Sequence, residues 1–190
     1  MAGENLNVAN TGVAKPKPTG CLFVAPVGST LPTDAKGELD PAFKSLGHIN
    51  EDGIKQNAEI ESTEHKAWGG TTVYQSIDNV SETFEFKLIE VLSPEVLKLT
   101  FGEKNVTGTG IDAGISAKFD PSDATIAEQA VVIDMILREN VLKRIVIPRC
   151  KVTALGEINH DNELTGYPIT LGCIKDSKLG YHTEYYNKKA

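Results

Sequence analysis

The most chemical-looking stretch of the chain is Thr107-Gly108-Thr109-Gly110-Ile111-Asp112-Ala113-Gly114, whose glycines resemble a phosphate cradle. Such a cradle needs a buried strand before it and a helix after it, so that backbone N–H groups and the positive helix end meet the anion. Gly102, Glu103, Lys104 and Asn105 precede this stretch and no helical pattern follows, so it is expected to be a flexible loop. His48, His65, His160 and His182 are scattered, without the HxxxH spacing or the cysteine pair that zinc requires. Neither a Gly-x-Ser-x-Gly elbow nor a Walker loop occurs. Glu59 and Glu61 share one side of a candidate strand, the placement of an acid–base pair, yet neighbours on so polar a face are ordinarily solvated. Cys21, Cys150 and Cys173 make an odd set with no CxxC and no evident cationic partner to activate a thiolate. Cys21 and Cys173 lie in apolar runs and are expected to be small core residues of a reducing compartment. The sequon Asn105-Val106-Thr107 has meaning only in a secreted chain. No catalytic residue, cofactor or metal is expected, and function must lie elsewhere.

The elements that carry these residues are those of one domain. The chain has 190 residues, 40% of them hydrophobic and 24% charged, enough to bury a core without staples. Aromatic residues make up 6% and the net charge is −7, which argues against a nucleic-acid binder. The segment 34–100 holds 13 acidic and 6 basic residues, and the rest of the chain is close to neutral. Such an excess serves either solubility or the repulsion of a polyanion. No apolar run is long enough to span a membrane, and residues 1–10 show no secretory signal.

Lys15-Pro16-Lys17-Pro18 marks residues 1–20 as an extended N-terminal arm, leaving 21–190 as the folded domain. A short strand is expected at 22–25. Glu51-Asp52-Gly53, between runs at 46–50 and 54–62, predicts a hairpin. The second run sets Ile54, Gln56, Ala58 and Ile60 against Lys55, Asn57, Glu59 and Glu61. Trp68-Gly69-Gly70 breaks the chain before β-branched and aromatic residues resume at 71–77, a second hairpin. Period two returns over 80–91, where Phe84, Phe86 and Leu88 oppose Thr83, Glu85 and Lys87. The one convincing helix spans 93–101, with Ser93 to cap it, Pro94 and Glu95 in its first turn and Gly102 to end it. Strands are expected at 129–137, with Val131, Ile133, Met135 and Leu137 on one face, then at 141–147 after a Glu139-Asn140 turn, at 151–155 and at 164–174. Seven or more strands with one helix predict a mainly β fold, an antiparallel sandwich or barrel with one short packed helix.

Taken in order, several stretches resemble the major tail protein, or tail tube protein, of long non-contractile-tailed bacteriophages. They are FVAPVGSTLPT at 23–33, LDPAFKSLGHI at 39–49, NEDGI at 50–54, KAWGG at 66–70, FEFKLIE at 84–90 and GYPIT at 166–170. The resemblance covers residues 21–173 and rests on the order of short motifs. The C-terminal Ig-like extension that some relatives carry is not recognisable. The resemblance implies a β sandwich whose inner sheet joins those of its neighbours into rings, commonly of six. Stacked rings then form a hollow tube around a tape-measure protein, closed by tail terminator and tail-tip proteins. Double-stranded DNA later passes through the lumen without specific binding. It further implies a virion tail protein assembled in the bacterial host cytoplasm, with no membrane partner. An acidic lumen suits that passage, because basic residues would hold phosphate.

Two sets of residues become candidates in that frame. Trp68, Gly69 and Gly70 either cover the subunit's own core or form an inter-subunit contact. Along 54–62, Ile54, Ala58 and Ile60 are expected to pack inward on the sandwich. Lys55, Asn57, Glu59 and Glu61 then face outer solvent or the channel, and the channel is favoured because the family's inner sheet draws on this part of the chain. Rival readings are a tube protein of a contractile tail or secretion device, and a non-polymerising β-sandwich binding module.

Overall fold

The computed structural model describes residues 11–18, 20–120, 127–138 and 141–189. Among them are eleven strands and one α-helix. In chain order the strands are β1 (Ala14–Pro16), β2 (Leu22–Pro26), β3 (Lys44–Ser45), β4 (Lys55–Lys66) and β5 (Thr72–Leu88). After helix α1 (Pro94–Phe101) come β6 (Val106–Thr107), β7 (Ser116–Ala117), β8 (Gln129–Leu137), β9 (Val141–Leu155), β10 (Tyr167–Cys173) and β11 (Thr183–Lys188). Nine strands join in one sheet of order β3-β2-β8-β9-β10-β5-β4, and every pairing is antiparallel. β1 lies in line with β2 along one edge of β8, and β11 lies in line with β10 along one edge of β9. β6 and β7 pair apart from the sheet.

The sheet folds over a shared apolar core, as a sandwich does. Leu22, Val131, Ile133 and Ile147 from one half meet Phe84, Phe86, Leu88, Ile169 and Leu171 from the other, with Val96 and Leu99 of α1 alongside. The opposite face of β2, β8 and β9 is also covered. There Ala130, Val132 and Val146 pack with Phe43, Leu31 and Leu39 of the long 27–43 loop. Two opposite charges are buried on this second face. Arg144 donates to Asp134 through Nε at 2.6 Å and Nη2 at 2.8 Å, and its Nη1 donates to the carbonyls of Asp34 (3.1 Å) and Gly37 (2.9 Å). Lys17 Nζ donates to the second Asp134 oxygen at 2.9 Å, so one carboxylate gathers two cations.

Several local expectations are corrected. Residues 1–20 do not all stand apart, because Ala14–Pro16 adds a strand to β8 and Lys17 docks on Asp134. The rest of the arm up to residue 10 lies outside the described residues, as does the Glu139-Asn140 turn. Glu51-Asp52-Gly53 makes a turn, with Gly53 N–H donating to Asn50 O, but not a hairpin. Ile49 bridges Leu88 and Lys55 pairs with Glu85, so the turn is an excursion from a single edge running along β5. The runs at 71–77 and 80–91 are one strand, β5, and those at 141–147 and 151–155 are one strand, β9. Pro148 is tolerated inside β9 because it falls at a bulge, where no ladder N–H is needed. Ser93 sits at the N-cap of α1, but its hydroxyl makes no capping bond, while Gly102 closes the helix through N–H to Lys98 O. The glycine-rich loop holds the small β6–β7 hairpin.

Candidate functional site

β4 and β5 form a ribbon that outruns the sheet. β10 pairs with β5 only over residues 83–88, so among the described residues β4 is the sole strand partner of residues 72–82. At about 3.3 Å per residue, that free part is roughly 35 Å long. All of β4 is solvent-exposed. The chain reverses at Ala67–Thr71, closed by Ala67 N–H to Thr71 O (2.8 Å) and Gly70 N–H to Ala67 O (2.9 Å). Gly69 (φ 133°) and Gly70 (φ 88°) take backbone conformations that side chains resist, so this tip requires them. Trp68 stands fully exposed at the tip and covers nothing of its own core.

The two faces of the ribbon differ. One carries Lys55, Asn57, Glu59 and Glu61 opposite Glu85, Thr83, Ser81 and Asn79, and continues to His65 stacked on Tyr74. The structure thus brings all four channel candidates onto one polar, exposed face, where Asn57 Nδ2 donates to Glu59 at 3.2 Å. A bulge beside Glu61 and Ser62 leaves Asp78 unpaired in the ladder, and its carboxylate accepts from Thr63 and from Ser76 (2.9 Å). Those hydroxyl bonds hold the Asp78 carboxyl below its ordinary value.

The other face continues that of Phe84 and Phe86. It carries Ala58, then Ile60 opposite Val80, then Ile77 opposite Ser62. The expectation that Ala58 and Ile60 pack inward on the sandwich is wrong. Ile60 is 66% and Ile77 67% exposed, since none of the described residues forms a second layer beneath this part of the ribbon. Ile54, just before β4, does pack on the core.

The ribbon's root is clamped by residues whose role was not foreseen. Glu82 is buried, accepting from Gln56 Nε2 (2.6 Å) and lying 2.8 Å from His182 Nδ1. Tyr181 donates its hydroxyl to Val80 O at 2.7 Å, and His182 meets the Phe84 ring edge-on. A signal was present: Glu82 occupies the inward parity of Phe84 and Phe86, where a carboxylate must find partners.

Among the described residues, no group of three His, Cys, Asp or Glu is placed to hold a metal ion, and no helix is long and apolar enough to cross a membrane. The prominent surface is therefore a ribbon on a β sandwich, with a short exposed apolar stripe of Ala58, Ile60, Ile77 and Val80 on one face and polar side chains along the other. No curated protein matches the chain. The family of phage tail tube proteins matches it over residues 9–189. With a mainly antiparallel β fold, one short helix and that match along nearly its whole length, the chain belongs to the phage tail tube protein family, a structural component of the virion tail.

Proposed function

We propose that the chain polymerises into stacked rings of six subunits, forming the tube of a long non-contractile tail through which the genome reaches the host. The observation that carries this reading is the uncovered apolar stripe of Ala58, Ile60, Ile77 and Val80. It continues the core face outward, and none of the described residues covers it. A second copy supplies the missing layer, and stacking along an axis supplies it to every ring but the last. The opposite face, with Lys55, Asn57, Glu59 and Glu61, then lines the channel and repels DNA phosphate. Trp68, Gly69 and Gly70 meet the adjoining subunit. The domain, residues 21–190, with Ala14–Pro16 paired to its β8, acts as one assembly element. Other partners are the tape-measure protein inside the tube and the tail terminator and tail-tip proteins at its ends. Assembly takes place in the host cytoplasm, and the chain catalyses nothing.

Cryo-electron microscopy of purified tubes tests the arrangement directly. The expected result is a closed ring with Glu59 and Glu61 turned to the axis, and both on the outer surface would refute it. In intact particles, Glu59→Lys with Glu61→Lys should still allow assembly at moderate salt but slow genome ejection, because a basic belt holds phosphate.

A further inference from the structure

Two of the three cysteines face each other. Cys173 of β10 and Cys150 of β9 are directly opposite in the antiparallel ladder, so their side chains share one face, against the main core. Ile174 N–H donates to Arg149 O at 2.8 Å, which brackets this pair from outside. It is thus a non-hydrogen-bonded pair, the closer of the two antiparallel kinds, with Cα atoms about 4.5 Å apart and side chains near one another. That separation falls inside the range of roughly 4.4–6.8 Å that a disulfide spans. Both thiols are free. Cys150 is fully buried, its Sγ lying 3.4 Å from Gln129 O, while Cys173 is partly exposed. Cys21 shares the core but has no cysteine opposite it.

We propose that Cys150 and Cys173 form a dithiol site at which a small disulfide closes a covalent link between β9 and β10. Partial exposure makes Cys173 the entry point. Its thiolate attacks one sulfur of the reagent, releasing one thiol and leaving a mixed disulfide. The Cys150 thiolate then attacks the Cys173 sulfur, forms the cross-strand bond and releases the second thiol. The protein gives up two protons and two electrons, and the reagent is reduced to two thiols. Burial, and then the charge of Glu82, push the Cys173 thiol up to about 12. Burial, reinforced by the Cys173 neighbour, lifts the Cys150 thiol higher still. The site is therefore slow at neutral pH and stays reduced unless an oxidising pool persists. The link joins two strands that already touch, so the fold need not change. The chemistry stands on the pair alone; its use, to fasten a tube after it leaves a reducing cytoplasm, rests on the tail reading.

The test incubates the folded full chain with oxidised glutathione at mildly alkaline pH, followed by intact mass and non-reducing peptide mapping. A loss of two hydrogens, with the 150 and 173 peptides joined, is expected for the wild type and for Cys21→Ala, and not for Cys173→Ser. The linked chain should also melt about 10 °C higher, from the constraint on the unfolded chain. A stable glutathione adduct on Cys173, cross-linked dimers, or unchanged thiols after prolonged incubation would overturn the site. A linked chain that melts no higher would overturn its fastening role.

Discussion

Replacing Ile60 and Ile77 by threonine separates folding from assembly. Threonine keeps the β-branch that suits a strand and removes the apolar end that a neighbour would cover. The two isoleucines are 66% and 67% exposed in the single chain, so most of their burial remains to be gained on contact. Full burial of an isoleucine contributes about 1.5–3 kcal/mol, and two-thirds of that is about 1–2 kcal/mol for each. The double variant should therefore lose about 2–4 kcal/mol per subunit contact. At about 1.4 kcal/mol per tenfold, that raises the critical concentration for tube growth roughly 30- to 1,000-fold. The same substitutions should cost the folded subunit little, within about 1 kcal/mol, because they touch only cross-strand neighbours. Sedimentation of seeded assemblies across a concentration series measures the first quantity, and a thermal melt of the unassembled protein measures the second. Growth at the wild-type concentration would refute the covered-stripe argument. A melt lowered by tens of degrees would show that the stripe belongs to the subunit's own core.

Trp68→Ala should leave the subunit melt unchanged within about 0.5 kcal/mol, since the side chain is fully exposed, yet block tube formation in the same sedimentation assay. Asp134→Ala strands Arg144 and Lys17 without their carboxylate and should cost about 3–5 kcal/mol, seen as a melting temperature about 10 °C lower. Adding Arg144→Met to a leucine at 134 should recover much of that loss. The lowered Asp78 carboxyl stabilises the bulge at neutral pH, and this support is lost as pH falls through its depressed value. Amide exchange around 61–63 and 76–79, corrected for intrinsic rate, should quicken there, and Asp78→Asn should abolish the pH dependence.

The residues that alternate were readable. Phe84, Phe86 and Leu88 pointed inward as their spacing required, and the Trp68-Gly69-Gly70 tip fell between the strands it was expected to join. Alternation reports which residues share a face, but not what lies against that face, so Ile60 looked like core. Asp-Gly turns are local, and whether one joins two paired strands or interrupts a single edge depends on β5, a distant partner. β1 and β11 escaped notice because three exposed residues and a tail of Thr183–Lys188 show little patterning until β8 and β9 offer edges. Asp134 and Arg144 each break an apolar face, one on each of two adjacent strands. Their opposite signs at facing positions were a legible hint of a buried pair.

β5 has a mechanical consequence as well. It is one unbroken strand from the ribbon's free end to the core, and over residues 83–88 it is zipped to β10. A pull along the ribbon therefore acts along β5, perpendicular to the hydrogen bonds that anchor it. Those bonds must yield together in shear instead of peeling one at a time. Tyr181 and His182 brace the strand at the point where that load enters the body. A filament made of such subunits would bend by tilting whole domains about their ribbons before any strand let go.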